Sequence, residues 1–373
     1  MYNDLIPKPK VRGSNPFGTA RKPAGMTNLA FVRHAFHWLH ENLLLLIFGA
    51  YFCAIFTPGP GVWMAGLTFA KTQIFGQPLV FSLPTLLLAC FLFNAGIGTK
   101  PADVIRLGHH IWPLIAGVIG NTLVPLMFVT SLSIISNVAP DPAQIKYIVV
   151  GVAIVSAMPI AGSSTAWSQN ANGNLALSLG LVLLTTALSP LTTPLILAGA
   201  NVESLGDDVA RLQNVEGGAV RMFLFAWVVL PSLIGLFIRA FVMHQRYDQI
   251  APYVKFGNVL ILMMIIYSNA SVYLPALAAN PDVPYLMMAF GVAALLCGAM
   301  FGAGFALSKI FALHRAETAA LTFGLGMNNN GCSLVFATTA FPDQPRVVLP
   351  IIFYILVQHV AAATADRIIS RRR

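Results

Sequence analysis

Residues 158–178 read MPIAGSSTAWSQNANGNLALS, and residues 317–331 read ETAALTFGLGMNNNG. Each stretch interrupts apolar sequence of membrane-spanning length, one in each half of the chain. A helix needs about 20 apolar residues to cross the hydrocarbon core. Irregular backbone at that depth is tolerated only where protein or a water-filled cavity covers it. A matched pair of breaks therefore points to a binding site near the bilayer midplane, the pattern of a transporter.

In the first stretch Pro159 removes a backbone donor and frees a carbonyl one turn earlier, and Gly162 lets the chain leave helical geometry. Ser163, Ser164, Thr165, Ser168, Gln169 and Asn170 then supply neutral oxygens and amides. Such groups suit a hard monovalent cation or a polar solute; hydrogen bonding between small residues of neighbouring helices is the plainer reading. In the second stretch Asn328, Asn329 and Asn330 stand between Gly326 and Gly331. Three consecutive amides cannot all face one helix partner, and an unwound segment would present them on several sides. The second stretch thus favours a ligand site over packing alone.

The 373 residues are 57% hydrophobic and 9% charged, a composition that belongs in a bilayer. Apolar runs centre on residues 42–57, 76–97, 107–134, 146–169, 174–199, 219–244, 254–275, 284–309, 315–340 and 346–368, which predicts an all-α membrane protein of ten spans. The polar residues before Asn42 contain no apolar signal core, so residues 1–37 read as a basic cytoplasmic leader and the first span as retained. The formal net charge of +9 raises nucleic acid as a partner, but the placement of the charges argues against it. With the N-terminus inside, the leader, Lys100, Arg106, Arg239, Arg246, Lys255, Lys309, Arg315 and the arginines from Arg367 onward all fall on the cytoplasmic side. Lys71, Lys146, Arg211, Arg221 and Arg346 are left outside. That asymmetry places both termini in the cytoplasm, in the plasma (inner) membrane if the source is bacterial. Cys53, Cys90, Cys297 and Cys332 lie in or beside spans without C-x-x-C spacing and read as packing residues.

Ten spans divide into repeats at 38–199 and 219–369, joined by an external linker at 200–218 and followed by a basic tail at 370–373. Halves with five spans each must sit in opposite orientations, the inverted-repeat plan of secondary transporters. The breaks fall in the fourth and ninth spans, equivalent positions of the two halves. Zinc-protease, nucleophile-elbow and P-loop signatures are all missing from the sequence, so no enzyme is expected.

The string Gly173, Asn174, Leu175, Ala176, Leu177, Ser178, together with Gly326, Met327, Asn328, Asn329 and Gly331, resembles the crossover helices of the bile acid:sodium symporter family. The similarity runs from about Asn42 to Ile369. It implies panel and core domains, crossed broken helices in the core, sodium behind the crossing and a small organic anion between the domains. By resemblance Ser164, Thr165, Ser178 and Val182 fall where one sodium shell is built. Gly324, Leu325, Met327 and Asn328 fall where the second is built, with Asn121 nearby. Ser164, Thr165, Ser178 and Asn328 would be the remaining sodium ligands.

The family places a glutamate where this chain has Gly324, an asparagine at Thr165, a threonine at Val182 and a glycine pair at Ile160 and Ala161. A carboxylate offsets the cost of dehydrating a cation, so the resemblance implies a degenerate sodium site. Coupling to protons through His109, His110, His244 or His359, a sodium-independent carrier or exporter, and a sensor or scaffold that does not transport are the alternatives. Each of those histidines also has a structural or interfacial reading.

Overall fold

The computed structural model describes residues 42–99, 102, 111–137, 142–200, 217–243, 246–342 and 344–371. In hydrocarbon every backbone group must find its partner within the protein, and a helix satisfies its own. The apolar runs accordingly build α1 (Leu43–Phe56), α2 (Pro58–Gly66), α3 (Leu83–Gly98), α4 (Ile111–Asn137), α5 (Pro142–Ala157), α6 (Ser163–Asn170) and α7 (Leu175–Gly199). The second half of the chain gives α8 (Gly217–Leu224), which continues through a π-helical turn (Phe225–Val229) into α9 (Leu230–Phe241). There follow α10 (Tyr247–Ala279), α11 (Val283–Ile310), α12 (Arg315–Gly326), α13 (Asn330–Ala340) and α14 (Pro345–Arg371).

Among the described residues six helical stretches, Ile111–Ser136, Leu175–Gly199, Gly218–Phe241, Gln249–Ala279, Val283–Ile310 and Pro345–Ile369, are long and apolar enough to cross a membrane. The first expected span is bent: α1 and α2 qualify only as a pair and meet at 93°. Pro58, Pro60 and Gly61, expected as a turn beyond that span, instead form the start of α2, where a proline loses nothing because the first N–H groups are unpaired anyway. Gly61 lies against Ser271 and Tyr267 of α10, and the Tyr267 hydroxyl donates to the Thr57 carbonyl at the bend (2.6 Å).

The second expected span departs from the all-helical reading. Its first residues belong to an antiparallel hairpin, β1 (Thr68–Ile74) and β2 (Gln77–Ser82), and only Leu83–Gly98 is helical. Phe75 (φ 53°) and Gly76 (φ 74°) make a two-residue turn with both residues left-handed, the geometry that matches strand twist. Ser82 then caps α3, accepting from the Thr85 N–H while its own N–H is held by the Thr85 hydroxyl.

The helices sort into two packing groups. One contains α1–α3 and α8–α10, with α3 on α9 and α10 on α1, α2 and α3. The other contains α4–α7 and α11–α14, with α4 on α7, α11 on α12 and α14, and α14 on α5. Glycines allow the closest approaches: Gly96 of α3 faces the α9 backbone at Ser232, and Gly235 of α9 faces the α3 backbone at Phe93. Outward faces carry exposed Trp112, Met127, Leu191, Phe241, Met287 and Ile310, an apolar coat suited to lipid. This is an integral membrane protein with several passes.

The leader at 1–37, His109, His110, His244 and nearly all of the 200–218 linker lie outside the described residues. The ends of α7 and α13 and the starts of α8, α11 and α14 gather at the hairpin end of the bundle. The end of α6 and the start of α12 lie at the opposite end, where the Asn174 N–H donates to the Ala316 carbonyl (2.8 Å).

Candidate functional site: two broken helices that meet

The α5 helix stops at Ala157 because Pro159 brings no N–H and disfavours helical backbone at the residue before it. The α12 helix stops at Gly326 without a proline; Met327 is extended at φ −121° and ψ 102°. The two non-helical segments lie against each other. The Ala161 N–H donates to the Met327 carbonyl (2.8 Å) and the Asn329 N–H to the Pro159 carbonyl (2.9 Å), with Ile160 opposite Asn328. This is one rung of antiparallel sheet, and its two bonds are related by a local two-fold axis. Two helix N-termini, of α6 and α13, and two C-termini, of α5 and α12, converge on it.

Side chains from elsewhere hold the rung in place. Thr185 Oγ1 accepts from the Ile160 N–H (3.1 Å) and donates to the Leu181 carbonyl (2.7 Å). Thr193 Oγ1 donates to the Ala157 carbonyl (2.6 Å), and the Tyr354 hydroxyl donates to the Gly326 carbonyl (3.3 Å). Together they satisfy backbone groups that the breaks expose. Sequence reading missed all three residues. A threonine or tyrosine in an apolar run carries no mark that distinguishes a brace from ordinary packing.

The expected site residues divide by what they do. Asn329 is structural as well as central: its Oδ1 accepts from the Cys332 N–H (3.2 Å), capping α13. Thr165 and Ser178 are brought together across α6 and α7, hydroxyl to hydroxyl at 3.1 Å. Ser164 Oγ, Ser168 Oγ, both amide atoms of Asn328 and of Asn330, and Asn121 Oδ1 are buried with no hydrogen-bond partner among the described residues. Met327 is fully buried, whereas Ser163 and Val182 are half-buried. Leu325 faces Gly120 of α4, one residue before Asn121.

Several expected breaks lie elsewhere. Gly324 is inside α12 and Gly326 is its last residue, while Gly331 lies in the first turn of α13. The real break is Met327–Asn329, where amide side chains compete with helical bonding and a single glycine was not needed. Gly162 has ordinary helical angles (φ −60°, ψ −26°) and leads into α6, so the departure it was expected to allow occurs before it. A Cβ on Gly324 would meet Leu181 Cδ1 at 3.0 Å and Ile160 Cδ1 at 3.9 Å, an apolar setting for the position that would otherwise hold a carboxylate. His359 is buried on α14 with Nδ1 bonded to the Ile355 carbonyl of its own helix (2.8 Å).

The sequence model described as Sodium Bile acid symporter family matches residues 85–280, more than half the chain. The chain belongs to that family. Relatives in Bacillus subtilis (strain 168) include an uncharacterized protein, YbaS, 27% identical over 75% of this chain and 87% of its own length. A second, the uncharacterized sodium-dependent transporter YocS, is 26% identical over 76% of this chain and 85% of its own length. A transporter family fits what the sequence contains and gives no support to an enzymatic reading of the polar cluster.

Proposed function

We propose that this chain is a secondary transporter of small organic anions that works by alternating access, the α4–α7 and α11–α14 group moving as a core against the other group as a panel. The meeting of the two breaks carries the reading. Unsatisfied buried polar groups each cost about 1–3 kcal/mol, and a fold keeps such groups at a crossing where a solute or ion can complete them. The helix N-termini of α6 and α13 bring partial positive charge to the crossing and the C-termini of α5 and α12 partial negative charge, so an anion and a cation each find a favourable helix end there. The local two-fold axis of the rung supports inverted repeats, with the hairpin end external and both termini cytoplasmic.

Sodium coupling is weak in this reading. Ser164, Thr165, Ser178 and Asn328 supply neutral ligands only, and Gly324 opens onto Leu181 and Ile160. Uptake of a panel of labelled carboxylic acids into proteoliposomes, with sodium replaced by potassium, tests both parts. Transport with at most a small sodium requirement is expected. Uptake of none of the acids under any gradient sinks the transport assignment, and a strict sodium requirement sinks the coupling assignment.

A further inference from the structure

From the way α10 lies on α13 we infer that Asn269 and Thr338 form a latch closing the seam between the two helix groups at the hairpin end. This rests on the alternating-access reading above. Thr338 Oγ1 donates to Asn269 Oδ1 (2.7 Å), and one turn further the Tyr273 hydroxyl donates to the Pro342 carbonyl (3.1 Å). Both pairs are separated by 69 residues. Leu262 and Gly331, the neighbours nearest the break, keep the same offset. The two helices therefore run side by side in one direction and in register, from the crossing to the hairpin end.

Burial shows which part of the seam is shut. Along α10 no described side chain from Gln249 to Met264 is buried, whereas Ile265, Ile266, Ser268, Asn269, Ala270, Ser271 and Tyr273 are. On the other side of the seam α13 is buried from Asn330 to Ala337. The half-helices at the opposite end, α6 and α12, pack chiefly within their own group, and Gln169 and Asn170 are exposed. The groups are thus sealed at the hairpin end and parted at the other. Asn269 is 1% exposed and its Nδ2 donates to the Ile265 carbonyl (2.8 Å), which fixes the amide with its oxygen toward Thr338. This buried hydroxyl-to-amide bond, with the Tyr273–Pro342 bond one turn on, holds that closed arrangement and must break when the seam opens.

The test uses the full chain in membrane vesicles with the exposed Cys53 and Cys90 replaced by serine. In that background Asn269→Cys with Thr338→Cys should form a disulfide under mild oxidation without added solute. Separately, Leu262→Cys should react with an impermeant maleimide only from the face bearing the end of α6. Adding Thr338→Val should raise labelling from the hairpin face at least tenfold while labelling from the first face persists, showing an intact fold; Thr338→Ser should restore one-sided reaction. A missing disulfide, no labelling from either face, or one-sided labelling unchanged by Thr338→Val overturns the latch. Absent acid uptake with the switch in sidedness intact would instead count against the transport reading.

Discussion

The two breaks that meet at the centre are made by different means. The one at Met158–Gly162 starts from covalent structure, because Pro159 has no N–H whatever surrounds it, and the rung and Thr193 then hold the segment open. The one at Met327–Asn329 has no proline and exists because Asn329 caps the next helix and the opposite strand accepts and donates across the rung. Beyond the breaks the contrast continues. The half-helix α6 is polar and partly exposed, whereas α13 is buried for most of its length. A proline bars helical bonding through any motion of the bundle, while a side-chain break depends on its partners, so on the proposed transport reading the asparagine segment is where a bound solute would act on structure.

The largest expected effect separates two neighbouring asparagines. Asn328→Leu removes two buried amide atoms that have no hydrogen-bond partner among the described residues, so stability should hold or rise while transport is lost. Asn329→Leu should also abolish transport but lower stability by about 1 kcal/mol, the usual worth of a helix N-cap. Uptake and thermal unfolding measured on both variants check the pair. Parental transport by Asn328→Leu would remove it from the site, and equal destabilisation of both would erase the distinction.

Next in size is the brace. Thr185→Val keeps the shape but leaves the Ile160 N–H unpaired in the interior, at a cost of about 1–3 kcal/mol. Pro159→Ala should do less, because the rung bonds and Thr193 still hold the segment open. Hydrogen exchange at residues 158–162 distinguishes them: Thr185→Val should accelerate it and Pro159→Ala should leave it nearly unchanged. Helical protection appearing in Pro159→Ala would show that the proline, and not the crossing, maintains the break.

How much of this was legible in the sequence follows from what kind of interaction made each part. Pro159 and the Asn328–Asn330 run were readable because a missing donor and a polar run in apolar sequence are local facts. The α1–α2 bend and the Thr68-to-Ser82 hairpin were not, since an apolar run that ends at Pro58 or starts at Gly76 looks the same whether the chain turns or spans. Gly324 and Gly331 misled because glycine permits a break without requiring one, and at Gly324 the close approach of Leu181 gives the residue another role. Thr185, Thr193 and Tyr354 act over 25, 36 and 28 residues of separation, distances at which one sequence carries no signal.

A smaller effect is expected where the crossing lacks its carboxylate. Gly324→Glu puts an acid beside Leu181 and Ile160, and insertion of an acid at a helix centre costs about 2.5–3.5 kcal/mol. With Ser164, Ser178 and Asn328 near the same crossing, sodium should recover part of that loss. Linkage gives about 1.4 kcal/mol of sodium-dependent stabilisation at ten times the dissociation constant. Melting the variant and the parent in sodium and in potassium should show a sodium shift in the variant alone. A parent already stabilised by low millimolar sodium would falsify the degenerate-site reading.

The smallest effect on transport is a control within one helix. Ser189 and Thr193 lie one turn apart on α7, and both hydroxyls are fully buried. The Ser189 hydroxyl donates to the Thr186 carbonyl of its own helix (2.8 Å), a carbonyl that Pro190, four residues on, leaves without a helical N–H, so Ser189 covers a freed carbonyl within α7 and outside the rung. Thr193 instead donates to Ala157, the last residue before the proline break, whose carbonyl has lost its helical partner. Ser189→Ala should therefore cost about 1–3 kcal/mol of stability, as a stranded buried carbonyl does, yet leave uptake intact. Thr193→Val should cost about 1–3 kcal/mol and slow transport, because it strands a carbonyl at the crossing. Equal effects of the two variants on transport would mean that α7 supports the break through packing alone, and that the Thr193 brace at the crossing is incidental.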